Sequence, residues 1–183
     1  MAVYTKISKK DISYINRKFD IEKILEFKGI KQGIENTNYL LKSKNKKFIL
    51  TIFEKRVSKK ELPFFMNLMD KLNKSKINCP KPQTKKDGGY LINLKNKAAC
   101  IVSFLNGKDK KSLNFKNCYD IGKMIAEMHQ STKKMNLTRK NSMGVRNLNP
   151  LLKSIRFKSK KFTNVEKFLK NNFKDIKTKW PKN

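Results

Sequence analysis

The sequence predicts an α+β fold built on an antiparallel sheet. Short apolar runs rich in β-branched and aromatic residues occur on both sides of one amphipathic segment, in the order β-β-β-α-β-β, and helices follow. Turn residues join several of these runs directly, as antiparallel neighbours allow, whereas parallel neighbours need a long crossover. We therefore expect a five-stranded antiparallel sheet between about residues 20 and 105, with one helix packed on it.

The first half of this pattern begins with a helix. Ser8 and Asp11 have the spacing of a capping box, which predicts a short helix over "SKKDISYINRKF". Three strands are expected after it, in "ILEFKGI", "TNYLLKS" and "KKFILTIFE", and the turn "KSKNKK" joins the last two.

A second helix is expected from Glu61 to about Lys74. Ser58 and Glu61 have capping-box spacing, and apolar residues then recur at intervals of three and four, as one face of a helix requires. We expect this face to be buried beneath the helix: Leu62, Phe65, Met69 and Leu72.

The remaining elements are a hairpin and further helices. "CPKPQTKKDGGYLINLKNKAACIVSFL" predicts a proline-led extended entry and two strands, with turns at "DGG" and "KNK". A polar connector, "NGKDKKSLNF", precedes a helix in "NCYDIGKMIAEMHQST". One face of that helix is apolar: Cys118, Ile121, Ile125 and Met128. Beyond Asn136 the pattern weakens, although "VEKFLKNNFKDIKTKW" is compatible with a helix.

The composition is strongly basic, with a net charge of +31. Such a charge is typical of nucleic-acid-binding proteins, but only five of the 45 basic residues are arginine, the preferred reader of phosphates and guanine. Twenty asparagines accompany the lysines, which favours A/T-rich codon usage and a solvated surface over a dedicated nucleic-acid site. Nonspecific binding to polyanions is expected in either case.

Cysteine and histidine offer no recognisable zinc site. Cys79, Cys100 and Cys118 lack C-x-x-C spacing, and His129 is the single histidine. Cys100 and Cys118 fit apolar patterns, so we expect both to be small buried hydrophobes. No apolar run has the length of a membrane span, and the first residues lack a signal-peptide core, so a cytoplasmic location without membrane association is expected.

The turn after the first strand raises a functional question. It contains glycine and small polar residues in an otherwise lysine-rich region: Gly29, Gly33, Asn36, Thr37 and Asn38. Such a turn can be an ordinary hairpin. In the small lobe of a kinase-like fold, which has the same order of elements, the corresponding turn covers the phosphates of a nucleotide and needs backbone clearance and hydrogen-bond donors. Both interpretations remain open on the spacing alone.

A resemblance across residues 1 to 150 favours the second interpretation. Six segments occur in order: "FKGIKQGIENTNYLL", "FILTIFEKRV", "ELPFFMNLMDKL", "CPKPQ", "AACIVSFLNG" and "IGKMIAEMH". Together they resemble homoserine kinases built on the aminoglycoside-phosphotransferase and choline-kinase-like fold. The resemblance implies phosphoryl transfer from ATP to L-homoserine, a step toward threonine, with Mg²⁺ as the metal.

The resemblance also implies nucleotide-binding positions. The turn from Gly33 to Asn38 corresponds to the phosphate-covering loop, and the connector residues Ser103, Phe104 and Leu105 would pass the adenine through their backbone groups. The third strand has Thr51 where kinase-like folds usually carry a phosphate-binding lysine or arginine. The homoserine kinases that the chain resembles also have threonine at this position. This leaves Lys55 and Arg56 as candidate phosphate cations, with Glu54 and Glu61 as acids that could fix them.

No catalytic residue and no metal ligand can be assigned by this resemblance. The family's "H-x-D-L-F-x-x-N" loop, which supplies the catalytic aspartate, and its later acidic strand are not found in this sequence. We therefore expect residues 1–105 to form the nucleotide-binding lobe and residues 106–183 the linker and first helices of a truncated helical lobe. Mg²⁺ ligands and the acceptor pocket would lie in the missing lobe, which a separate chain could supply, and this chain alone would be inactive.

Three alternatives remain. The acceptor could be choline or an aminoglycoside, because the acceptor pocket lies mostly outside this chain. The domain could be a degenerate lobe retained for binding or regulation. It could also be a basic nucleic-acid-binding module, whose binding would fall steeply with salt.

Overall fold

The computed structural model describes residues 3–54, 58–140 and 163–179, together with the single positions 144, 147 and 150. The chain divides into two compact units, residues 1–137 and 138–183. The elements of the first unit are α1 (Lys9–Lys18), β1 (Glu26–Gly29), β2 (Thr37–Lys42), β3 (Lys47–Ile52), α2 (Leu62–Lys74), β4 (Leu91–Leu94), β5 (Lys97–Ser103) and α3 (Phe115–Lys133). The second unit contains α4 (Thr163–Lys179), where the sequence allowed a helix.

The five strands form one sheet in the order β1-β2-β3-β5-β4, and every neighbouring pair is antiparallel. The predicted antiparallel sheet is thereby confirmed. The register places Thr37 opposite Ile52 at one end of β3 and Ser103 opposite Phe48 at the other.

One face of the sheet packs against α1. Side chains alternate along β2 and β3, so that Tyr39, Leu41 and Leu50 point into the same buried cluster as Ile15 and Phe19. The predicted capping box begins α1, since the Ser8 amide donates to the Asp11 carboxylate at 2.8 Å and the Asp11 amide donates to the Ser8 hydroxyl at 3.4 Å. The sequence predicted this helix but not its packing on the sheet.

The opposite face of the sheet packs against α2. Met66 forms a buried cluster with Cys100 and Val102 of β5. Two members of the predicted stripe are buried, Leu62 and Leu72, whereas Phe65 and Met69 are half-buried at the edge of this cluster. The prediction is therefore correct for Leu62 and Leu72 but missed Met66, which is the buried residue of α2 that packs against Cys100 and Val102 of β5.

The second predicted capping box is wrong. Glu61 itself is the N-cap of α2, and neither a Ser58 cap nor a side-chain capping hydrogen bond from Glu61 occurs. The Glu61 amide instead donates to the Ser58 carbonyl oxygen at 2.9 Å, which closes a turn before the helix. Pro63 occupies the first turn of the helix, where its missing amide costs no intrahelical hydrogen bond.

The prediction of a buried Cys118 is also wrong. Cys100 is buried, but Cys118 lies exposed on α3, which has no buried residue. Several large apolar side chains of this helix are exposed: Phe115, Tyr119, Ile121, Met124 and Ile125. The periodicity located the apolar face correctly, but periodicity does not say what covers a face. Across the described part of the chain, no helix is long and apolar enough to span a membrane.

Candidate functional site

The glycine-containing turn forms a loop of residues 30–36 between β1 and β2. The Ile30 amide donates to the Asn38 carbonyl oxygen at 2.9 Å and closes the base of the loop. Gly33 near its tip has a φ of +101°, a conformation that glycine adopts without strain. No atom lies within 4 Å of where a Cβ at Gly33 would stand, so within the protein the backbone conformation alone requires glycine.

The amino-terminal segment, residues 3–7, runs alongside this loop. A Cβ at Gly29 would stand 3.0 Å from a Val3 methyl carbon, so the close approach at Gly29 is to this segment. The Tyr4 hydroxyl donates to the Ile34 carbonyl oxygen at 3.0 Å. Farther along, the Tyr39 hydroxyl donates to the Thr5 carbonyl oxygen at 3.0 Å. The segment therefore contacts the loop, its entry and the strand that leaves it.

Thr37, at the end of the loop, is fully buried. Its hydroxyl accepts hydrogen bonds from the Tyr4 and Thr5 amides at 2.9 and 3.1 Å and donates to Glu54 Oε1 at 2.6 Å. These three bonds use the full capacity of a hydroxyl group. The Thr37 hydroxyl, which we expected to face a nucleotide, is therefore engaged within the protein, where it fixes the end of the loop.

Glu54 lies just beyond β3. Among the described contacts, its one cationic partner is Lys97, at the start of β5. Lys97 Nζ contacts Glu54 Oε2 and donates to the Thr5 hydroxyl at 2.7 Å, while Thr5 donates to Glu54 Oε1 at 2.7 Å. Burial acts to raise the pKa of Glu54, but the hydrogen bonds from Lys97, Thr37 and Thr5 outweigh it, and the pKa lies below its ordinary value. The Glu54 carboxylate is therefore ionised at neutral pH.

The expected partners of Glu54, Lys55 and Arg56, lie outside the described residues, so the cation that would touch phosphates is not identified. Lys97 was missed because it stands in a predicted turn, far along the chain from Glu54. The local sequence around Lys97 does not indicate that β5 lies beside β3 in the sheet, so the pairing with Glu54 follows only from the strand order.

The two asparagines of the predicted site point to different partners. Asn36 Oδ1 accepts a hydrogen bond from the Glu54 amide at 3.4 Å, which ties the end of the loop to the end of β3. Asn38 Oδ1 accepts one from the Thr51 hydroxyl at 2.8 Å. By strand alternation, Asn38 and Thr51 lie on the α2 face of the sheet, opposite to Thr37.

The predicted connector follows β5. The Ser103 amide donates to the Lys81 carbonyl oxygen at 2.9 Å, and the Phe104 amide donates to the Lys47 carbonyl oxygen at 3.2 Å. The Phe104 ring lies 5.7 Å from Lys47 Nζ, and Leu105 is exposed. Two connector amides are thus engaged within the protein, which leaves the carbonyl groups and Leu105 as the part of the connector that a base could meet.

The loop and the connector lie at opposite ends of β3. Four residues of extended strand separate the level of Phe48, beside Ser103, from that of Ile52, beside Thr37, which corresponds to about 13 Å. On the α2 face between them, Leu40 pairs with Ile49 nearer the connector, and Asn38 pairs with Thr51 nearer the loop. The face therefore changes from apolar to polar along its length.

A groove of about 420 Å³ adjoins this face at the outer edge of the sheet, lined by Leu25, Glu26, Phe27, Lys28, Leu40 and Lys42. Lys42 and Glu26 form an exposed ion pair across it at 2.9 Å.

No three His, Cys, Asp or Glu side chains converge within the described residues, so this part of the chain does not fit a Mg²⁺ site. His129 lies exposed on α3.

Comparison with known proteins shows which family this chain matches. Residues 26–164 match the family model described as the phosphotransferase enzyme family. A homoserine kinase of Paramagnetospirillum magneticum is 36% identical over 183 residues, which cover all of this chain and 56% of that relative. A homoserine kinase of Rhizobium etli is 38% identical over 145 residues, which cover 79% of this chain and 45% of that relative. The chain spans about half the length of the curated relatives it matches.

Solved structures agree with the fold. A spectinomycin phosphotransferase, solved with ADP and spectinomycin, superposes with a TM-score of 0.60 at 15% identity and covers 95% of this chain and 56% of its own. A microcompartment-associated aminopropanol kinase superposes with a TM-score of 0.59 at 13% identity, over 79% of this chain and 48% of its own. The predicted kinase-like fold is confirmed. By the extent of the family match, the chain belongs to the phosphotransferase enzyme family.

Proposed function

We propose that this chain carries the nucleotide-binding half of a homoserine kinase, which transfers a phosphoryl group from ATP to L-homoserine. The observation that carries the proposal is the 36% identity to a homoserine kinase over the full 183 residues. The spectinomycin and aminopropanol enzymes share the fold at only 13–15% identity, so they support no choice of acceptor. Choline and aminoglycoside acceptors remain the alternatives within this family.

The nucleotide would lie along the α2 face of the sheet. The phosphates would meet the loop that contains Gly33 and Asn36, and the polar pair of Asn38 and Thr51 would stand beside them. The base would lie near Ser103, Phe104 and Leu105, against the apolar pair formed by Leu40 and Ile49. The separation of about 13 Å between these ends suits an extended nucleoside triphosphate.

Gly29 and Thr37 belong to the same proposed site, but their described contacts give them supporting roles. Gly29 allows the amino-terminal segment to approach, and Thr37 holds the end of the loop. Neither contact requires a bound nucleotide.

The rest of the proposed enzyme would come from a helical lobe. In this proposal, residues 1–105 form the nucleotide-binding lobe, and residues 106–183 form the linker and the beginning of the helical one. The catalytic base, the Mg²⁺ ligands and the homoserine pocket would belong to the remainder of that lobe, supplied by the same protein or by a separate chain. The cytoplasmic location expected from the sequence belongs to the same proposal.

Nucleotide binding to variants of the loop tests this function. Gly33→Val introduces a β-branched residue at a φ of +101° and adds bulk at the tip of the loop. Gly88→Val is a matched control, because Gly88 has a φ of +87° and equally open surroundings but lies in the turn before β4. Lys170→Gln in α4 removes one positive charge and measures how much a single lysine contributes to nonspecific binding of either ligand.

Affinities for ATP and inorganic triphosphate should be compared by calorimetry at moderate salt. The proposed site predicts that Gly33→Val weakens ATP binding selectively, that Gly88→Val leaves it unchanged, and that Lys170→Gln weakens both ligands slightly. Equal effects of the two valine substitutions on ATP binding would mean that the loop is an ordinary turn without a role in nucleotide binding.

Charge-driven binding to nucleic acid is the competing function, favoured by the net charge of +31. Binding through phosphate contacts loses affinity steeply as salt rises, for any sequence of nucleic acid. ATP held in a formed site should lose less, because part of its binding comes from the base. A salt series with ATP, inorganic triphosphate and an unrelated DNA duplex separates the two functions.

A further inference from the structure

Four side chains join the amino-terminal segment to the sheet beside the loop: Thr5, Thr37, Glu54 and Lys97, here called the anchor cluster. The Glu54 carboxylate accepts from the other three, and Thr37 and Thr5 share its Oε1. Thr37 also accepts from the Tyr4 and Thr5 amides. The carboxylate side chain is only 8% exposed, and Thr37 is fully buried.

The anchor cluster holds both ends of a short structure. Through Thr37 and the Glu54 amide, which donates to Asn36, it fixes the last residues of the loop. Through Thr5 it fixes the amino-terminal segment, from which Tyr4 reaches the Ile34 carbonyl oxygen and Val3 packs against Gly29. The loop is therefore contacted at its entry, its tip and its exit by one connected set of residues.

The charge balance of the cluster also suits a neighbouring anion. A carboxylate at the end of β3, next to the loop, would repel a phosphate if it were alone. Contact with Lys97 Nζ and two hydroxyl donors disperses that charge within the protein. The cluster lies on the α1 face, whereas Asn38 and Thr51 lie on the α2 face, so it acts through the backbone of the loop.

We propose that the anchor cluster is a positioning device: it clamps residues 3–7 across the base of the loop and thereby holds residues 30–36 in the conformation that receives nucleotide phosphates. The clamp itself is a property of the unliganded protein, and its benefit to phosphates rests on the proposed function. The clamping segment precedes residues 26–164, which match the family model, whereas Thr37, Glu54 and Lys97 lie within them.

Thr37→Val is the decisive variant, because it keeps the shape of the side chain and removes the hydroxyl. The part-buried Tyr4 amide and the buried Thr5 amide then lose their acceptor, which favours release of the segment. Thr37→Ser should restore the clamp by returning the hydroxyl. Ser43→Ala is the matched control, because Ser43 also bonds a carboxylate and a backbone amide, those of Glu22 and Lys46, but in the turn between β2 and β3.

Backbone hydrogen exchange of the nucleotide-free chain measures the clamp directly. We expect Thr37→Val to raise exchange of the Ile30 amide, which closes the base of the loop, and of the Tyr4 and Thr5 amides by about ten-fold or more, with little change in the amides of β3 and β5. Thr37→Ser and Ser43→Ala should leave these three amides protected as in the parent. Unchanged exchange of the Ile30 amide in Thr37→Val, or an equal rise throughout β3 and β5, would overturn the proposal.

Tyr4→Phe covers the case in which Thr37→Val does not fold. Tyr4 is 56% exposed, so this variant removes the hydrogen bond to Ile34 with little effect on the core. Faster exchange of the Ile30, Tyr4 and Thr5 amides, without change in β3 and β5, supports the clamp, and unchanged exchange of these amides overturns it.

ADP binding by the same variants tests the benefit to phosphates. The clamp predicts about ten-fold weaker ADP binding in Thr37→Val and recovery in Thr37→Ser. A parent chain that binds no ADP counts against the proposed function, whereas the exchange measurement still decides the clamp.

Discussion

Lys97 and Glu54, 43 residues apart in the sequence, meet beside the exit of the glycine loop, with the carboxylate side chain 8% exposed. Strand order explains the meeting. β3 and β5 are neighbours in the sheet although α2 and β4 separate them along the chain, so the second residue beyond β3, Glu54, lies beside the first residue of β5, Lys97. The pair is a tertiary contact that joins two strands and the amino-terminal segment.

Removing the cation from this pair should destabilise the protein. Lys97→Met leaves a nearly buried carboxylate without its cation, and we expect a loss of about 1–3 kcal/mol, below the full cost of a broken buried pair because Lys97 is 35% exposed. Urea unfolding followed by circular dichroism measures the change. Lys42→Met, which breaks the exposed pair with Glu26, is the control and should cost less than about 1 kcal/mol. Equal losses would show that burial of Glu54 is unimportant.

Stability should fall in acid partly through Glu54. Its pKa lies below the ordinary value of 4.5, so its ionised form stabilises the fold above pH 4.5, and this contribution is lost as the pH falls through the lower folded pKa. Asp11, whose pKa is also lowered, adds to the same loss. Glu54→Gln should unfold more easily at neutral pH but show a shallower decline in acid. Parallel pH profiles for parent and variant would contradict this assignment.

Gly29 and Val3 should behave as a complementary pair. A methyl group at Gly29 would stand 3.0 Å from a Val3 methyl carbon, so Gly29→Ala should cost about 1–2 kcal/mol through overpacking. Val3→Ala should relieve most of that cost in the double variant, which a double-mutant cycle of unfolding free energies measures. Additive losses would mean that Gly29 is required for a reason other than Val3.

The purified chain should show no turnover with ATP, Mg²⁺ and L-homoserine. None of its described residues forms a metal site, and no catalytic aspartate loop is found in its sequence. Positioning and charge stabilisation together account for many orders of magnitude in the rate of phosphoryl transfer. A coupled assay for ADP release and chromatography for phosphohomoserine measure the activity. Robust product formation would mean that catalytic residues have been overlooked in this chain.

Local signals in the sequence were sufficient to predict the strands, their turns and the antiparallel sheet. Lys95 and Asn96 of "KNK", for example, both have positive φ and form the turn before β5, which begins at Lys97. Contacts between distant segments were not predictable. The packing of α1, the pairing of Lys97 with Glu54 and the inward direction of the Thr37 hydroxyl all depend on which strands become neighbours and in what register.

The candidate site shows the same limit. The glycines and asparagines of the loop were found because small polar residues stand out in a lysine-rich chain. The amino-terminal segment was not associated with the loop, because "VYTKI" over residues 3–7, although rich in strand-forming residues, does not indicate which later segment it meets. Two of its contacts are hydrogen bonds from the Tyr4 and Thr5 amides to Thr37, whose side chain faces α1 instead of α2.

The exposed apolar face of α3 has a consequence for how copies of this chain behave together. A net charge of +31 keeps molecules apart at low ionic strength, whatever apolar surface they expose. Salt shortens the reach of that repulsion from about 10 Å at 0.1 M to about 3 Å at 1 M, which lets residues such as Phe115, 88% exposed, meet their counterparts. Salt would therefore promote self-association of this polycation while it dissolves complexes with polyanions, so the two kinds of assembly respond to ionic strength in opposite directions.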